Sequence, residues 1–105
     1  MKTIINNKSR TFQNSTVVVA KNQVSSDLGG ETAILNLKNG VYYGLNPVGT
    51  RIWQLIQEPI TVSQIRDTIF NEYDVSLGQC ESDILVLLEQ LSAENLVECI
   101  NEANP

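Results

Sequence analysis

The chain has 105 residues and a formal net charge of −5, which leaves room for one small domain and little volume for a catalytic cleft of usual size. Its 42% hydrophobic and 18% charged content is that of an ordinary globular protein. No histidine occurs, so the usual acid–base side chain is missing, and Cys80 and Cys99 build neither a zinc site nor a Cys-His nucleophile.

The charge is unevenly spread. Lys2, Lys8, Arg10 and Lys21 precede the first acid, Asp27, and from Thr61 to the end nine acids face one base, Arg66. That half of the chain repels nucleic acid. No apolar run is long enough to cross a bilayer and MKTIINNKSR lacks the apolar core of a signal peptide, so no membrane association is expected. The expectation is a cytoplasmic protein with free thiols.

Residues 1–15 are polar without sustained periodicity and read as a flexible arm or a short edge segment. Thr16 to Ala20 is a β-branched run, the first strand. Asn22 to Gly30 has a loop composition ending in paired glycines. In the next segment Ala33, Leu35 and Leu37 alternate with polar Asn36 and Lys38, the period of a half-buried strand. Asn39-Gly40 predicts a hairpin of the primed type, and Val41 to Leu45 is the return strand. Asn46 then caps a helix with Pro47 at its first position.

That helix carries Val48, Ile52, Leu55 and Ile56 at helical spacing and ends at Glu58-Pro59, with Trp53 as a core anchor in preference to a ligand platform. A second helix opens on a capping box, Thr61 with Gln64, and a hydrophobic staple, Ile60 with Ile65. Its core face is Val62, Ile65, Ile69 and Tyr73. A third helix opens on Ser76 with Gln79, again read as a capping box. Cys80, Ile84, Leu87, Leu88 and Leu91 make its core stripe, while Leu85 and Val86 extend the apolar surface beyond one core contact. Leu96 to Ile100 is a short extended piece, and residues 101–105 are expected to fray.

These elements predict an α+β fold of winged helix-turn-helix type, a three-stranded antiparallel sheet followed by three helices, in one domain over 16–100. Chemistry is sparse. Glu81, Asp83, Glu89 and Glu94 have the pattern of a solvated helix face, and Gly29-Gly30 and Gly49 fit no nucleotide fingerprint, so no cofactor is expected. A winged-helix DNA-binding regulator would present basic or amide side chains on its third helix, whereas this one presents acids. What remains is an exposed sheet edge beside an apolar helix, a surface on which a peptide can add as a further strand.

The stretch GETAILNLKNGVYYGLNPVGTRIWQLI, a threonine-led helix and SDILVLLEQLSAENLV together resemble the PqqD-like proteins, also called RiPP recognition elements. The branch most similar is the stand-alone leader-binding protein of lasso-peptide biosynthesis. The likeness spans roughly residues 16–100 and is strongest at Tyr43-Gly44-Leu45-Asn46, Gly49, Ile52, Trp53, Asp83-Ile84, Leu87-Leu88, Leu91 and Leu96-Val97.

The resemblance implies a protein without catalytic activity that holds the leader region of a ribosomally made precursor peptide as an added antiparallel strand. The implied strand side of the site is Val41, Tyr42, Tyr43, Gly44 and Leu45. The implied helix side is Asp83, Val86, Leu87 and Gln90. Implied partners are the precursor, a cysteine protease of transglutaminase-like fold and, downstream, an asparagine-synthetase-like cyclase. A PqqD-like peptide chaperone for another peptide-modifying enzyme, such as a radical SAM enzyme, is the alternative. One departure is Glu94-Asn95, where the family commonly has a glycine, expected to loosen the turn after the third helix.

Overall fold

A computed structural model describes residues 15–100; the expected arm (apart from Ser15) and the expected frayed end lie outside them. The described elements are β1 Thr16–Val19, β2 Gln23–Asp27, β3 Thr32–Asn36, β4 Tyr42–Leu45, α1 Pro47–Leu55, β5 Ile60–Thr61, α2 Val62–Glu72, α3 Leu77–Ala93 and β6 Val97–Ile100. They form two antiparallel sheets, ordered β2-β3-β4 and β5-β1-β6, around the three helices.

The α+β architecture is as expected, but the strands are partnered differently. Thr16–Val19 does not join the hairpin sheet. It pairs instead with β6, Val17 opposite Cys99 and Val19 opposite Val97, and on its other side with β5. The third strand of the hairpin sheet is Gln23–Asp27, inside the stretch whose composition reads as loop. Its mostly exposed residues carry no strong strand signal of their own. The ladder to β3 holds it, with Val24 opposite Leu35, and the buried Trp53 indole donates to Ser25 Oγ at 3.1 Å. Asp27 Oδ1 accepts from the N–H groups of Gly29 and Gly30, and both glycines sit at positive φ, so the paired glycines form the turn into β3.

The phase of β3 is also the reverse of the sequence reading. Thr32, Ile34 and Asn36 are buried, while Leu37 is exposed. The two inward polar residues are satisfied by remote partners: Thr32 Oγ1 donates to Thr50 Oγ1 at 2.9 Å, and Asn36 Nδ2 donates to the Glu94 carbonyl at 2.9 Å. Hydrogen-bonded in this way, they occupy the core side at little cost. Asn36 Oδ1 also accepts from Lys38 N–H, which shapes the hairpin loop. In that loop Gly40 is at positive φ and Asn39 is not. Either primed two-residue turn needs a positive φ at the first of the two, Asn39, so the connection is a longer loop with glycine at its left-handed position.

The helices begin where the local signals place them. Asn46 accepts from Gly49 N–H with Pro47 in the first turn, and Thr61 with Gln64 makes a complete capping box. At α3 only half the expected box forms. Ser76 Oγ accepts from Gln79 N–H, but the Gln79 amide turns to Asp83 Oδ1 at 2.8 Å. The core joins Val17, Ile34, Ile52, Trp53, Ile56, Val62, Ile65, Ile69, Cys80, Ile84, Leu88, Leu91 and Leu96, and Leu85 belongs to it as well. The apolar excess on α3 is therefore Val86 and the half-buried Leu87. Cys80 is buried and Cys99 exposed, and both are free.

The turn after α3 closes firmly, against expectation. Leu96 N–H donates to the Leu91 carbonyl and Asn95 N–H to that of Ser92, with Asn95 at φ 59°. This is the hydrogen-bond pattern of a Schellman cap, in which asparagine takes the place of glycine.

Candidate functional site

Among the described residues β4 is the end strand of its sheet, and the backbone groups it leaves unpaired there follow from the register. Asn36 N–H donates to the Val41 carbonyl at 2.9 Å. The next pairs are Leu35 with Tyr42, Ile34 with Tyr43, Ala33 with Gly44 and Thr32 with Leu45. Hydrogen-bonded and non-bonded pairs alternate in an antiparallel ladder, so Tyr43 and Leu45 spend their N–H and C=O on β3. Tyr42 and Gly44 turn theirs to the open margin. The far side of β3 agrees with this parity, since Leu37 N–H donates to the Asn22 carbonyl of the β2 side.

Beside that margin lies a groove of about 550 Å³. Gly44 and Leu45 form its strand wall; Cys80, Asp83, Ile84, Val86, Leu87 and Gln90 form its α3 wall; Val48, Gly49, Ile52, Ile69, Tyr73 and Val75 close it from α1, the end of α2 and the connection to α3. Gly49 is closely packed, since a Cβ there would stand 3.3 Å from both Asn46 Oδ1 and Leu45 Cβ.

Of the residues read from the sequence as the site, Gly44, Leu45, Asp83, Val86, Leu87 and Gln90 line the groove together. The other three stand apart from it. Val41 is exposed in the hairpin loop and Tyr42 is 69% exposed on the outer face of the sheet. Tyr43 faces inward, half-buried, and its hydroxyl donates to Glu94 Oε1. The contributions of α1, α2 and Cys80 escape sequence reading because the same periodicity that marks core also marks groove wall.

The lining is apolar apart from a few groups. Asp83 is its one charged side chain among the described residues. Burial raises the pKa of the Cys80 thiol, with Asp83 adding to the effect, so the α3 wall of the groove holds a neutral thiol. The hydrogen bond to Glu94 raises the pKa of Tyr43. Among the described residues no group of side chains is arranged to hold a metal ion, and no helix is long and apolar enough to cross a membrane.

An apolar groove beside a strand edge with alternate backbone groups free is fitted to take up an extended chain. The family profile described as coenzyme PQQ synthesis protein D (PqqD) matches residues 31–97. No curated protein matches the chain. Among solved structures, "TbiB1 in Complex with the TbiA(beta) Leader Peptide" is 34% identical, with a TM-score of 0.73 over 77% of this chain and 94% of that one. "Lasso peptide synthetase B1 complexed with the leader peptide" is 18% identical with a TM-score of 0.70 over 78% and 96%, a likeness of fold. The chain belongs to the PqqD family, and the resemblance to RiPP recognition elements drawn from its sequence holds in its fold.

Proposed function

We propose that this protein binds the leader region of a ribosomally made precursor peptide and presents it to a separate leader peptidase in lasso-peptide maturation. The leader adds to β4 as an antiparallel strand, exchanging hydrogen bonds with Tyr42 and Gly44 while its inward side chains enter the groove against α3. The peptidase is a cysteine protease of transglutaminase-like fold, and an asparagine-synthetase-like cyclase acts on the product. The protein itself performs no catalysis. The observation that carries this reading is the open margin of β4 lying directly along an apolar groove. The leader peptide bound by TbiB1, a protein 34% identical to this one, supports it.

The test is a fluorescence-anisotropy titration with a labelled synthetic peptide of the leader region encoded beside this gene. Two or three apolar anchors, less the cost of ordering a disordered chain, correspond to a Kd of about 0.1–10 μM. No saturable binding by about 50 μM, a free energy weaker than about −6 kcal/mol, would overturn the proposal.

A further inference from the structure

The outer face of the hairpin sheet, turned away from the groove, carries an apolar row that stops abruptly at the open margin. Val24, Leu35 and Tyr42 are in register across β2, β3 and β4. Val24 is 53% and Tyr42 69% exposed. The neighbouring row, Ser26, Ala33 and Gly44, is small throughout. Among the described residues nothing requires the glycine there: a Cβ on Gly44 would meet none of them within 4 Å, and its φ is not positive.

Tyr42 and Gly44 are also the two β4 residues whose backbone groups face the margin. In an antiparallel guest strand, the residues directly opposite them form hydrogen-bonded pairs and point their side chains to the outer face, while the residues between and beside them point into the groove. The guest is therefore read on both faces. We infer that the peptide taken up by β4 carries a bulky apolar residue opposite Tyr42, which completes the row Val24-Leu35-Tyr42 on the outer face, and is unconstrained opposite Gly44. The inference rests on the leader-binding reading and adds a specificity position outside the groove. The occupant is fixed by the register, since only a strand hydrogen-bonded to Tyr42 sets a side chain at the end of this row.

The experiment is a serine scan of the labelled leader peptide against the wild-type protein and Tyr42→Ser, with Tyr42→Phe as the conservative control. Tyr42 is exposed, so the variants keep the fold, checked by circular dichroism and thermal midpoint. A lost cross-strand apolar pair with its buried area corresponds to binding about 3- to 10-fold weaker for Tyr42→Ser, with Tyr42→Phe close to wild type. One leader position, flanked on both sides by groove-facing positions, is sensitive in wild type and loses its sensitivity in Tyr42→Ser, the non-additivity of residues in contact. Binding that Tyr42→Ser weakens by less than about threefold, short of the lower bound expected for the pair and its buried area, overturns this inference alone. Failure of the wild-type protein to bind the peptide removes the leader-binding reading, and this inference with it.

Discussion

The Tyr43 hydroxyl donates to Glu94 Oε1 at 2.5 Å, joining the inner side of β4 to the end of α3 across 51 residues of sequence. The strand and the helix that flank the groove are thereby tied to each other outside its lining. Tyr43→Phe keeps the ring and loses the tie. Because part of what that bond contributes is already present in the free protein, leader affinity is expected to fall by only about 2- to 5-fold by anisotropy titration.

The same bond gives an alkaline signature. Tyr43 has a pKa raised in the folded state, so the folded protein holds this proton more tightly than the unfolded chain. Its contribution is complete below the ordinary tyrosine pKa of about 10 and is lost as pH rises past it. Denaturation midpoints at about pH 8 and about pH 11 are expected to drop further in wild type than in Tyr43→Phe. Equal drops would mean that the hydroxyl does not couple to folding.

Proline substitutions separate the two sides of β4. Tyr43 donates to β3, so Tyr43→Pro breaks the ladder and destabilises the domain. Gly44 donates outward, and an edge strand tolerates proline on its free side. Gly44→Pro is expected to keep the thermal midpoint near wild type while weakening leader binding at least about 10-fold, through one lost hydrogen bond and the bulk of the ring in the guest's place.

On the helix wall, Val86 is 49% exposed and lines the groove, whereas Leu87 is half-buried against the core. Val86→Asp is expected to weaken the leader about 10-fold with little change in stability, since a charge there desolvates only when the guest is bound. Leu87→Asp is expected to cost both affinity and stability. Urea denaturation beside the binding titration distinguishes the two.

The cap after α3 gives a stability test remote from the groove lining. Asn95 occupies the left-handed region at φ 59°. Asn95→Gly is expected to stabilise the domain by up to about 1 kcal/mol, and Asn95→Val to destabilise it by about 1–2 kcal/mol. Chemical denaturation measures both.

The features legible in the sequence are those written within a few residues. Asn46-Pro47 and the Thr61 and Gln64 box act through hydrogen bonds between near neighbours, so composition and spacing sufficed. Strand partnership is not local. Nothing near Val17 names Cys99 as its partner, and the polar β2 is a strand because β3 and Trp53 hold it. The reversed phase of β3 has the same origin, since Thr32 and Asn36 turn inward only because Thr50 and Glu94 satisfy them there. For the site, the flank of α3 stood out as apolar surface beyond what one core face needs. Ile52, Ile69 and Cys80 did not, because each is core on one side and groove on the other.

The most direct test of strand addition is backbone amide exchange, read residue by residue by NMR with and without saturating leader peptide. In the free protein the amides of Tyr43 and Leu45 are expected to exchange slowly and those of Tyr42 and Gly44 fast; with leader bound, Tyr42 and Gly44 become protected as well. Tyr42 and Gly44 amides that stay unprotected in the saturated complex would contradict a guest strand on β4.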